Sequence, residues 1–148
     1  MIKEKSLALF LSLSLLAGCT VPNQARYQIS PPGPAGAAAT AVDKENVKEI
    51  LQNVAKPLKL QDMTGSSLVP NTVLYLQEID SNTPVKLIAW TEEGKILIEL
   101  MHWPDTLGET LPYRSAREYI ESELKRRFGE RSSVVAFKNL AARAPTRH

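Results

Sequence analysis

A single cysteine, Cys19, is all that the 148-residue chain contains, so no internal disulfide can staple the fold and packing alone must hold it. Its apolar and serine run at residues 6–16 falls short of the about 20 residues of a membrane-spanning helix, and Gly18, Cys19 and Pro22 interrupt any extension. Glycine-rich phosphate loops and paired-cysteine motifs are missing, and with them the strong sequence signals for nucleotides and structural zinc. Histidine occurs twice, as His102 and the terminal His148, so a Ser, His and acid triad would rest on His102. Excess charge of one sign is lacking too. With 18 basic and 16 acidic residues the formal charge is +2, which leaves no electrostatic footprint for nucleic acid.

What is present begins at the N-terminus. Lys3 and Lys5, with Glu4 between them, precede the apolar run in the order of a secretory signal. Leu16, Ala17, Gly18 and Cys19 close it. This LAGC stretch resembles the lipobox of bacterial lipoproteins, a resemblance confined to the signal and the residue after it. It implies cleavage between Gly18 and Cys19, a diacylglyceryl thioether on Cys19 and a further acyl chain such as palmitate on the new amino terminus; separately, with nucleotide and metal motifs missing, no other cofactor is expected. Two or three acyl chains anchor a protein stably where one holds it marginally. Thr20 follows Cys19 where an aspartate is associated with inner-membrane retention in enteric bacteria, so the resemblance implies the periplasmic leaflet of the outer membrane. The competing reading is an ordinary cleaved signal that happens to carry a cysteine.

Loss of residues 1–18 removes Lys3, Glu4 and Lys5 and leaves 130 residues with a formal charge of +1, the size of one domain. Residues 43–109 hold 11 acidic and 6 basic side chains, and residues 114–148 hold 9 basic and 4 acidic. The favoured expectation is acidic and basic elements lying side by side within one domain, rather than a surface for anionic partners.

Residues 19–42 read as the lipidated cysteine and a tether rich in Pro, Gly and Ala, with a reach of about 25 Å that would hold the domain off the lipid. The domain is expected over 43–139, with a disordered tail at 140–148. Asp43 is the expected N-cap of a helix whose Val47, Ile50, Leu51, Val54 and Leu58 form one stripe, ended by Pro57. Strands are expected at 72–79, 85–91 and 95–103, the last two joined through Glu92, Glu93 and Gly94 and the last of them central, with a short extended piece at 58–61. Ser115 and Glu118 form a capping-box pattern for a second helix carrying Tyr119, Ile120, Leu124 and Phe128 on one face, stopped by Gly129, and 132–138 reads as a final strand. The expected fold is α+β: a small two-layer sandwich in the order helix, three mainly antiparallel strands, helix, strand, with both helices on one face of the sheet.

The stretch HWPDTLGETLPYR, residues 102–114, is long for a strand-to-helix connection and mixes aromatic, acidic and basic residues. It is the candidate partner-binding loop, through His102, Trp103, Asp105, Glu109, Tyr113 and Arg114. His102, Asp105 and Glu109 are residue types that ligate metals or transfer protons, but their spacing matches no strong metal motif. Ser115 lacks a Gly-x-Ser-x-Gly setting for a nucleophile. The basic cluster of Lys125, Arg126, Arg127 and Arg131 reads as complementing a helix C-terminus. The expectation is a non-enzymatic, lipid-anchored module of the cell envelope that binds an envelope protein and no nucleic acid. The alternative is an envelope hydrolase or metal-dependent enzyme using His102, Asp105 and Glu109.

Overall fold

The computed structural model describes residues 22–34, 36–105 and 108–138. The signal segment, Cys19 and the tail at 140–148 lie outside the described residues. The elements are β1 (Asn23–Ile29), α1 (Ala41–Ala55), β2 (Leu60–Asp62), β3 (Thr72–Glu78), β4 (Val85–Glu92), β5 (Lys95–His102), α2 (Leu111–Phe128) and β6 (Ser132–Lys138). The strands form one antiparallel sheet in the order β2-β3-β4-β5-β1-β6, and two helices cover one of its faces. The fold class is therefore α+β, as the sequence indicated, but a strand precedes the first helix and the sheet has six strands.

The largest correction concerns the expected tether. Asn23–Ile29 is an interior strand, hydrogen-bonded to β5 on one side and β6 on the other. Its alternate residues Asn23, Ala25, Tyr27 and Ile29 are 0–1% exposed beneath the helices. Two large side chains at period two, Tyr27 and Ile29, suffice once two neighbouring strands supply the ladder, with Gln24, Arg26 and Gln28 on the opposite face. The segment after β1 is docked as well: the Ala39 N–H donates to Gly94 O at 2.9 Å. Gly94 has φ +77, and a Cβ there would lie 2.5 Å from Ala37 O, so the turn needs glycine for both its handedness and this close approach.

Helix α1 begins one turn earlier than expected. Thr40 is its N-cap and accepts from Asp43 N at 3.1 Å, while Asp43 completes the capping box from the third position. The helix ends at Lys56 before Pro57, and its stripe Val47, Ile50, Leu51 and Val54 is buried. Helix α2 starts at Leu111 rather than Ser115. Pro112 in the first turn suits a helix start, which places Ser115 inside the helix on its exposed side. Tyr113, Ala116, Ile120, Leu124 and Phe128 are its buried stripe, and Gly129 with φ 54 is its C-cap.

The core is one cluster drawn from both helical stripes and one face of the sheet, including Leu74, Leu76, Leu87, Ala89, Ile96, Ile98 and Leu100. Strand β5 lies between β4 and β1, matching the central position read from its two partly apolar faces. The acidic and basic parts of the chain meet within the domain. Arg127 of α2 donates to Glu49 of α1 at 3.0 and 3.1 Å and to Glu123 at 3.1 Å, Arg126 pairs with Glu123, and Arg131 donates to Asp43 at 2.5 Å. Arg127 and Arg131 thus join elements of the fold, while Arg126 pairs within α2.

Candidate functional site

The connection from β5 to α2 lies at one end of the sheet, beside the start of β1. Asn23, His102 and Val85 form one row across β1, β5 and β4. The Asn23 side chain donates from Nδ2 to Gly108 O at 2.8 Å, so the first residue of β1 pins the connection. Thr106 and Leu107 lie outside the described residues.

His102 is 3% exposed and belongs to an interior strand, not a sheet edge. Its ring stacks on Tyr113, with centroids 5.3 Å apart and planes 25° apart. Neither His102 Nδ1 nor the Tyr113 hydroxyl has a hydrogen-bond partner among the described residues. Burial disfavours the charged imidazole, so His102 titrates below its usual range despite the negative charges of Glu78 and Asp105. Burial likewise holds the Tyr113 phenol above its usual value.

Glu109 is enclosed by arginines, its side chain only 3% exposed. Arg117 donates to both of its oxygens, at 2.7 and 3.2 Å, and Arg114 adds a third contact at 3.1 Å. Burial pushes this carboxyl up, yet the two guanidiniums outweigh it and hold the group below the usual carboxylate range. Arg117 also reaches Glu121 at 3.3 Å, and Glu121 accepts from the Tyr27 hydroxyl at 2.8 Å. A polar chain thereby runs from the connection through α2 to β1. Arg117 and Glu121 carry the i,i+4 spacing of a helical ion pair, a local signal, whereas Tyr27 lies 94 residues from Glu121 and no local pattern places it with them.

The three residues named for catalysis are not arranged as one reacting set. His102 is stacked and buried, Glu109 is fully engaged by cations, and Asp105 is exposed. Among the described residues, no group of three or more His, Cys, Asp and Glu is placed to hold a metal ion. Trp103 is half-buried, its N–H donating to Pro84 O at 3.2 Å and its ring lying under Lys86 Nζ at 5.3 Å. Trp90 is half-buried on the uncovered face of the sheet, where Arg26 lies 5.9 Å from its ring and also pairs with Glu99.

A second feature was not read from the sequence as a site. Strand β6 is an edge strand, and Val134 and Val135 are 58% and 50% exposed. Beside it, a groove of ≈ 430 Å³ is lined by Tyr27, Leu124, Lys125, Glu130, Ser133 and Val134, among others.

No family model, curated protein or solved structure matches the chain. Among the described residues, no helix is long and apolar enough to cross a membrane.

Proposed function

We propose that the chain is a lipid-anchored, non-enzymatic binding module of a bacterial envelope, held by Cys19 in the periplasmic leaflet of the outer membrane and docking an envelope protein. The observation that carries this reading is the LAGC sequence at residues 16–19, closing an apolar run behind Lys3 and Lys5. Thr20 after the cysteine favours the outer membrane. The engagement of Glu109 by two arginines and the stacking of His102 favour a binding role over the hydrolytic or metal-dependent alternative.

The surface best suited to a protein partner is the β6 edge. Among the described residues β6 has no strand on its outer side; such an edge offers backbone donors and acceptors to an incoming strand, and exposed valines with an adjoining groove provide side-chain contacts.

Metabolic labelling with a fatty-acid analogue tests the anchor: wild type takes up label and Cys19→Ala does not, accumulating as precursor. Equal label in both would sink the reading. A photo-crosslinking residue at Val134 is expected to trap a discrete envelope protein that the same residue at Val42, exposed on α1, does not.

A further inference from the structure

We infer that the domain sits directly on the lipid surface, standing on the end of the sheet where β1 begins, with the start of α2, the β3–β4 turn and the α1–β2 connection as its contact. This rests on the anchor proposed above.

The reach of the chain carries the inference. β1 begins at Asn23, four residues after Cys19, and four residues span at most about 14 Å when fully extended. Nor can the anchor lengthen cheaply by peeling the strand. Asn23 is 0% exposed and bonded to Gly108 O, and release would expose Tyr27 and Ile29 in turn. The membrane is therefore within a short leash of one end of a sheet whose eight-residue strands are about 25 Å long.

That end has the chemistry of an interfacial contact. The antiparallel register gathers the starts of β1, β2 and β4 and the ends of β3, β5 and β6 there. Leu111 is 73% exposed at the start of α2, and Ile79 is 38% exposed just after β3. Lys56 and Lys59 are exposed on the α1–β2 connection, and Trp103 lies under Lys86. Apolar tips, an amphipathic indole and long cationic side chains are the residue types that settle at headgroup level. Asp80 and Asp105 are exposed at the same end, so the contact does not depend on strongly anionic lipid. Exposure alone would not choose the orientation, because Leu68, 99% exposed, lies at the opposite end. The anchor's reach chooses it.

The test uses the full-length, acylated protein in phosphatidylethanolamine and phosphatidylglycerol vesicles containing headgroup-nitroxide lipid. Leu111→Cys and Leu68→Cys are each labelled with a fluorophore, Cys19 being blocked by its thioether, and the acyl mass on Cys19 is checked in the same sample. Severalfold stronger quenching at position 111 than at 68 is expected. Acylated protein with equal quenching at both positions, with none, or with more at 68 would overturn the seating while leaving the anchor intact. A missing acyl mass would overturn both.

Discussion

Tyr27→Ala tests whether β1 belongs to the domain, because this residue joins the strand to the helical layer in two separable ways. Its ring is 1% exposed in the core cluster, and its hydroxyl donates to Glu121 at 2.8 Å. Removing a buried aromatic side chain down to Ala costs about 3–5 kcal/mol. Hydrogen bonds to charged groups contribute about 1.5–3 kcal/mol. Glu121 is 32% exposed and retains Arg117, so Tyr27→Phe belongs at the low end, about 1.5 kcal/mol. A loss of about 4 kcal/mol is a large part of the 5–15 kcal/mol of a typical domain. With a urea m-value near 2 kcal/mol/M it lowers the midpoint by about 2 M. Urea unfolding of a soluble form beginning at Thr20, followed by the fluorescence of Trp90 and Trp103, reads this directly. The expected order of midpoints is wild type, Tyr27→Phe, Tyr27→Ala, with Val42→Ala, 69% exposed on α1, close to wild type. If Tyr27→Ala matched Val42→Ala, residues 23–29 would not be integral to the fold and the reach argument for membrane seating would lose its footing.

Stability should fall as pH drops. The folded state holds His102 neutral, with its pKa below the ordinary value of about 6.5. Its contribution is therefore present above about 6.5 and lost progressively below it, down through the folded-state pKa; midpoints across pH 5–8 should slope less in His102→Gln than in wild type, and parallel slopes would refute the assignment. Arg117→Ala should destabilise by about 3 kcal/mol, because it leaves the Glu109 carboxylate buried with only Arg114. Adding Glu109→Gln should recover part of that loss in a double-mutant cycle, and strict additivity would show that the pair is not coupled.

The sequence alone determined the elements whose signals are local. Strands β4 and β5 are marked by apolar alternation on both sides of a Gly94 turn, β6 by its apolar run after Gly129, and α1 and α2 by stripes at helical spacing. The proposed address rests on four consecutive residues, 16–19, and needs no fold to be read. The start of α2 is legible only in part: Ser115 with Glu118 imitates a capping box, while Pro112 marks the actual first turn. Tertiary structure alone decided the place of β1. Asn23 and Ala25 add little hydrophobic signal to Tyr27 and Ile29, and flanking prolines make the segment look like linker. Its stability comes from ladders to β5 and β6, some 70 and 110 residues away in the chain, and no local pattern encodes a pairing at that separation. The same reason governs the candidate site. The residue types in 102–114 were visible, but whether Glu109 faced a substrate or two arginines depended on where α2 came to lie, and that was set by the burial of its stripe against the sheet.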